Sequence, residues 1–334
     1  ELNKDKSLNK IIHLHWLGDN TISIEEVGKL KYPIFWTLHD QWPFCGAEHY
    51  THPPVNKDGL QINDFRYRQN YSSKSRIFNE KGFDINKWTW ERKKKSWETP
   101  FNIVATSSWL FECAKKSSLM NSWPIHLIPY PINIENWKPI NKFHAKNILN
   151  IDKNKKVILF GAIGGTKDPR KGSHILMEAL KILRDSYSEK IENKIQILVF
   201  GEDNQKRYIS DLPVDFLGCF SDDLSLRVIY SAADVMVVPS IQEAFGQTAS
   251  EAHACATPVV AFKIGGLVDV VSHKETGYLA DPYDPESLAY GINWCLEDKE
   301  RNKNLSVQAR LKAIRYWDSR IIAKKYIDAY RSAF

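Results

Sequence analysis

Short apolar runs alternate with amphipathic stretches along most of the chain, and their spacing tells the two apart. Runs bounded by polar or turn residues read as buried strands, whereas apolar residues recurring every three to four positions read as helices. In the second half the pattern predicts strands at 156–163 (KVILFGAI), 196–201 (QILVFG), 215–220 (DFLGCF), 234–240 (DVMVVPS) and 258–262 (PVVAF). Helices fall between and after them, near 171–187, 222–232, 246–255, 285–297 and 300–316. Strand and helix in alternation mean a parallel sheet with crossover helices, so 145–315 is expected to be a doubly wound domain.

The first half is less regular. Strands are predicted at 11–15 (IIHLH), 33–38 (PIFWTL), 102–107 (NIVATS) and 126–130 (HLIPY), framing a domain over 1–135. From Cys45 to Pro100 no strand pattern recurs, and one helix near 85–97 interrupts a long connection. The Pro- and Asn-rich stretch 131–145 (PINIENWKPINKFHA) reads as an interdomain linker. In the tail, 316–334, Trp317, Ile321, Ile322, Tyr326 and Tyr330 stand at helical spacing, which predicts a helix packing back towards the first domain.

Composition narrows the function. With 334 residues and 43% hydrophobic content, the chain has material for two cores. A net charge of +6 is mild and accompanies no nucleic-acid module, which argues against a nucleic-acid partner and leaves phosphorylated ligands or an anionic membrane surface. The five cysteines lack metal or disulfide spacing, as reduced thiols in the cytoplasm would. No apolar run reaches the roughly 18–20 residues of a membrane span, and the polar start is not a signal peptide. A cytoplasmic protein, with peripheral contact to the inner face of the membrane, is the expectation.

Chemistry concentrates in 238–260, VPSIQEAFGQTASEAHACATPVV. A buried strand ends there, a small-residue helix begins, and Glu243 and Glu251 flank the Phe245–Gly246 pair. Doubly wound sheets take ligands at the carboxyl ends of their strands, and a helix start offers free amides to a phosphate. Gly246 permits close backbone approach. Carboxylates beside a phosphate site make sense if they accept hydrogen bonds from hydroxyls, as a nucleoside-diphosphate sugar would provide. By themselves they fit equally a helix-capping Glu243 and a solvated surface Glu251. In PRKG, Arg170 and Lys171 open a helix, against its dipole, which favours an anion nearby.

On the acceptor side His39 follows its strand with Asp40 next to it, placed to orient the ring. His13 and His15 share one strand face, His13 as packing and His15 as a candidate cleft residue; no third ligand suggests a metal. The segment WTWERKKKSW (88–97) fits a lipid-diphosphate acceptor or membrane surface, and fits better an amphipathic helix with tryptophans inside and lysines in water.

Taken together, PSIQEAFGQTASEAHACATPVVAFKIGG, FGAIGGTKDPRKGSHILMEALKIL, FLGCFSDDLSLRVIYSAADVMVVPS, IPYPINIENWKP and ETGYLADPYDPESLA resemble glycosyltransferase family 4, retaining enzymes of the GT-B fold. IIHLHWLG and WTLHDQWPFCGAEHY are similar to a bacterial surface-polysaccharide branch. The resemblance implies two Rossmann-like domains facing a cleft. It makes Glu243 the contact to the donor sugar and Glu251 the contact to the ribose. Ala244, Phe245, Gly246, Gln247 and Thr248 form the phosphate-facing turn, and Lys171, with Arg170 beside it, pairs with the diphosphate. His39 lies near the transferred sugar, and His15 and Asp40 on the acceptor side. The implied reaction is metal-independent hexosyl transfer, without a cofactor, from a nucleotide sugar to a glycan or lipid-linked acceptor, with retention through same-face attack.

Two departures accompany the resemblance. Gly161-Ala162 stands where many members carry an arginine after the glycine, and only ten polar residues precede Ile11, so an incomplete amino-terminal domain is expected. A GT-B epimerase and a non-catalytic nucleotide-sugar-binding subunit are the alternatives. A dehydrogenase is disfavoured because no GxGxxG follows a strand.

Overall fold

The computed structural model describes residues 10–18, 21–51, 65–76, 81–161, 167–186, 194–202 and 208–334. The chain divides into two compact units, Glu1–Pro129 with Lys324–Phe334, and Tyr130–Ala323. Ala162 and the rest of the turn after Gly161 lie outside the described residues, as does the polar start before Lys10.

The first unit is built on four described strands, β1 (Ile12–Leu14), β2 (Ile34–Leu38), β3 (Asn102–Ala105) and β4 (Ile125–Leu127), parallel and in that order. Helices α1 (Ile24–Gly28), α2 (Ile85–Ser96) and α3 (Ser108–Lys116) connect them. β2 is buried throughout, which is why PIFWTL carries no polar alternation. On one face Trp36 meets Trp97, ring centroids 5.3 Å apart; on the other, Phe35 meets Tyr330 at 4.8 Å.

The connection from Cys45 to Pro100 is packed rather than loose where it is described. Arg66 and Tyr67 are buried in a short 3-10 turn, and Arg66 pairs with Asp84, the amino-terminal cap of α2. The helix α2 is amphipathic as expected, with Trp90 and Trp97 buried and Lys94 and Lys95 exposed, but two of its residues depart from that pattern. Lys93 is fully buried, and its ammonium donates to the carbonyls of Trp42, Cys45 (3.0 Å) and Gly46 (2.7 Å). It also lies 3.7 Å from the centre of the Trp42 ring. Arg92 forms a bidentate pair with Glu25, while Trp88, expected inside, is 45% exposed.

The second unit starts with α4 (Lys142–Ile148) and holds a sheet of order β11-β10-β9-β5-β6-β8-β7. Its strands are β5 (Lys156–Gly161), β6 (Ile195–Phe200), β7 (Tyr208–Ile209), β8 (Leu212–Phe216), β9 (Val235–Val238), β10 (Val259–Phe262) and β11 (Gly277–Ala280). All pairs are parallel except β7 with β8. The strand expected at 215–220 lies earlier, and β11 was not anticipated from its GYLA sequence.

Period-two alternation sends the strand residues into two cores. Val157, Leu159, Met236, Val238 and Val259 face α6 (Asp223–Ala232), α7 (Gln247–Ala254) and the end of α10 (Lys299–Trp317). Ile158, Phe160, Val235, Val237 and Val260 face α5 (Ser173–Ser186) and α9 (Pro285–Glu297). A one-turn helix, α8 (Leu267–Val270), follows β10. The chain leaves β5 for β6 on one side and returns to β9 on the other, so the switch point of the sheet lies between β5 and β9.

Two boundary expectations change. The stretch 131–145 is no free linker: Ile132, Ile134 and Trp137 are buried in the core of the second unit, and Lys142 begins α4. Apolar residues between the prolines outweigh the linker-like composition. The tail helix is present but starts three residues later than expected. α10 ends at Trp317, Asp318 pairs with Ile132 as a bridge, and α11 (Ser319–Arg331) follows. Trp317 packs on Phe245 in the second unit, Tyr326 and Tyr330 belong to the first, and Ile321 is 39% exposed. Among the described residues no helix is long and apolar enough to cross a membrane.

Candidate functional site

The carboxyl ends of β5 and β9 carry most of the residues singled out in the sequence. After β5 the chain reaches a 3-10 turn, Pro169–Lys171, capped by Asp168, whose carboxylate accepts from the Arg170 amide and pairs with its guanidinium at 2.9 Å. Arg170 is thus engaged by Asp168, whereas Lys171 reaches across the switch point. Its Nζ donates to Glu243 Oε2 at 2.8 Å. The Ser240 hydroxyl, after β9, sits 3.3 Å from the same oxygen.

Backbone contacts fix this pair. The Ile241 amide donates to Arg170 O at 2.8 Å, tying the turn after β9 to the turn before α5. Gly172 takes φ +70° with Pro239 O so close that a Cβ would come within 1.9 Å of it. From the far side the Gly266 amide donates to Glu243 O at 2.9 Å, and a Cβ on Gly266 would lie 2.3 Å from Ala244 O. Ser240, Gly172 and Gly266 escaped the sequence reading, although PRKG and KIGG stood within the motifs; only tertiary contact shows why glycine is needed.

Gly246 caps α7 in the left-handed region, φ +100°, and, lacking a side chain, makes no side-chain cap bond to the first amides; among the described residues none is seen from another side chain. The helix start is therefore equipped for an acceptor from outside, and Glu243 does not cap it. Phe245 points away, buried among Tyr130 and Trp317, and Ala244 is buried too, so these two shape the turn through their backbone. Gln247 is exposed and Thr248 half-buried. Gly161, Lys171, Ser240 and Thr248 share the walls of one small pocket.

Glu251 lies one turn into α7 and accepts a hydrogen bond from Tyr230 OH at 2.9 Å. Burial raises its pKa from 4.5 to about 7, with the Tyr230 and Gln247 hydrogen bonds opposing the rise and Asp223 adding to it. It is no solvated surface glutamate. Tyr230, on the buried face of α6, gave no sequence signal of this role.

The histidines gather in the first unit. His15 Nδ1 and His39 Nε2 are 3.0 Å apart, and the His13 ring stacks on His15 at 4.6 Å. His13 is held by Tyr330 OH and Thr37 Oγ1 at 2.5 and 2.8 Å, in keeping with packing. Burial lowers all three pKa values, that of His13 to about 4, so the cluster is neutral at pH 7. Asp40 does not orient His39. One of its oxygens accepts from the Trp42 amide and the other pairs with His49 at 2.7 Å. His15, His39, Asp40 and His49 line an open pocket of about 330 Å³. Among the described residues no group of three or more His, Cys, Asp or Glu could hold a metal ion.

Known proteins add to this geometry. The D-inositol 3-phosphate glycosyltransferase of Corynebacterium urealyticum is 32% identical over 203 residues, 57% of this chain and 46% of that protein. The chain spans about half the length of the curated relatives it matches. Sucrose-phosphate synthase from Thermosynechococcus elongatus superposes with a TM-score of 0.71 at 24% identity, covering 96% of this chain and 73% of its own. Anabaena HepE, solved with UDP and glucose, gives 0.60 at 19% identity over 90% and 72%. The fold class is therefore GT-B, with a Rossmann-like parallel sheet in each unit. The profile of the Glycosyl transferases group 1 family matches residues 141–312, from α4 into α10 and including both carboxylates, and the chain belongs to that family of sugar-transferring enzymes.

Proposed function

We propose that this protein is a retaining glycosyltransferase that moves a hexosyl unit from a nucleoside diphosphate sugar to a hydroxyl of a glycan or lipid-linked glycan in polysaccharide biosynthesis. The observation that carries the reading is the Lys171–Glu243 pair at the switch point, beside a helix start with no side-chain cap. An ammonium and free amides suit a diphosphate, and a carboxylate suits sugar hydroxyls.

In this reading the diphosphate lies against Lys171 and the amides opening α7, and Glu251 accepts from the ribose hydroxyls. Glu243 holds the donor sugar. As the anomeric carbon–oxygen bond breaks, negative charge grows on the diphosphate, where Lys171 and the helix end stabilise it most. The acceptor hydroxyl attacks from the face the diphosphate leaves and gives its proton to the departing phosphate oxygen. No metal ion is assigned a part. His39, neutral and held by His15, serves hydroxyl recognition on the acceptor side.

HepE, of the same fold, was solved with UDP, which makes UDP the first nucleotide to titrate and GDP the second. Calorimetric titration of wild type, Lys171→Ala and Glu251→Ala, followed by a transfer assay with the bound donor, tests the proposal. Affinity should fall with Glu251→Ala and turnover with Lys171→Ala. Unchanged kinetics in both variants would end the site assignment, and donor binding without transfer to any acceptor would point to the non-catalytic subunit.

A further inference from the structure

The second unit carries another charged cavity, at the opposite edge of the same sheet. It is lined by Lys142, Lys146, Lys153, Lys155, Lys156 and Lys299 with a single carboxylate, Asp234, and has a volume of about 350 Å³. Lys156 opens β5 and Asp234 precedes β9, so this pocket sits at the amino ends of the strands whose carboxyl ends hold Lys171 and Glu243.

The hydrogen bonds show that the one carboxylate is already shared between two of the lysines and a backbone amide. Asp234 accepts from Lys142 Nζ at 3.0 Å, Lys146 Nζ at 2.9 Å and the Val157 amide at 2.9 Å. Lys155 donates to the neutral Gln196 at 3.1 Å. Of the acids near the pocket in sequence, Asp152 accepts from the Asn154 amide, Asp298 accepts from the Arg301 amide and pairs with its guanidinium at 3.8 Å, and Glu300, in the first turn of α10, is exposed and does not line the pocket. Lys153, Lys156 and Lys299 have no ion pair among the described residues.

Holding these ammoniums around one cavity is unfavourable without an anion. Burial lowers the Lys156 pKa; Asp234 opposes this, and the charges of Lys142, Lys146 and Lys299 add to it. Lys299 is moreover the first residue of the 19-residue α10, where a cation opposes the helix dipole. Nothing in the transfer reaction proposed above uses this end of the sheet.

We infer that this cavity is a second anion site, which takes a compact, multiply charged phosphate group between Lys153, Lys156 and Lys299. Ammoniums act there as point charges around a concave space, the mode in which lysine binds phosphate. Soluble phosphates and the headgroup of an anionic phospholipid share this chemistry; Phe143, 47% exposed on the cavity wall, would meet acyl chains in the second case.

The test is lysine acylation footprinting of the whole protein at low salt, with mass-spectrometric readout of each lysine. One arm adds inorganic pyrophosphate; the other adds phosphatidylglycerol–phosphatidylcholine vesicles against phosphatidylcholine alone. Lys153, Lys156 and Lys299 should be shielded several-fold in one arm, and the arm identifies the source. Lys156→Gln/Lys299→Gln keeps the Asp234 pairs and should weaken binding at least about tenfold, measured by protection of Lys153. Lys171→Ala should leave that protection intact, which separates this site from the donor end whichever way the transferase reading stands. Absence of shielding in both arms, or equal shielding in the double variant, overturns the inference.

Discussion

Replacing Glu251 by glutamine gives the sharpest test of the electrostatics at the start of α7. The amide keeps an acceptor for Tyr230 OH but removes a charge whose burial is unfavourable. The folded pKa, about 7, lies above the ordinary 4.5. Stability from this group is therefore fully present below pH 4.5 and is lost as pH rises through 7. At about 1.36 kcal/mol per unit, the linkage relation gives a wild-type loss of about 2 kcal/mol between pH 5.5 and 8. Glu251→Gln does not share that loss. Its stability relative to wild type should thus grow by the same amount over that interval, or roughly 4–8 °C in the melting of a unit this size. Scanning calorimetry of both proteins at the two pH values measures it. A stability difference that stays level, or shrinks as pH rises, refutes the reasoning, since Tyr230 and Cys255, whose titrations the Glu251 charge also raises, ionise above this interval.

Other perturbations address the rest of the site. Gly266→Ala drives a Cβ to 2.3 Å from Ala244 O and should displace the Glu243 turn, lowering nucleoside-diphosphate affinity about tenfold by titration calorimetry. Lys93→Met leaves three buried carbonyls without their donor and should destabilise the first unit by about 3 kcal/mol in urea melts; a change below about 1 kcal/mol would mean the ammonium contributes little. His39→Ala should slow sugar transfer at least about a hundredfold while nucleoside-diphosphate affinity stays within about twofold, because the residues assigned to the nucleotide are all in the other unit.

The second unit was largely legible because burial on both faces of a parallel sheet writes itself as continuous apolar runs. β5, β6, β9 and β10 were each anticipated, as were the helices between them. β11 was not, since GYLA is short and glycine-led, and β8 starts earlier than its apolar run because Pro213 and Asp215 hide its first residues. Side-chain partners were harder. Adjacency suggested that Asp40 serves His39, yet a turn swings its carboxylate to His49 and the Trp42 amide. Three consecutive lysines look alike in sequence; only the helix phase, which turns Lys93 inward and Lys94 and Lys95 outward, distinguishes them. Lys171 and Glu243 were both named as contacts to a ligand, but their contact with each other depends on the β5–β9 adjacency, 72 residues apart in sequence.

If the proposed donor site is right, that contact imposes an order of events. While the ammonium occupies the Glu243 oxygen, a lone monosaccharide competes with a charge for its acceptor and gains little. An arriving diphosphate draws the lysine away first and frees the carboxylate for hydroxyls. Recognition of the sugar is then conditional on the group that activates it, so free glucose or galactose should neither occupy the site nor inhibit the enzyme at concentrations where the nucleotide-linked form saturates it.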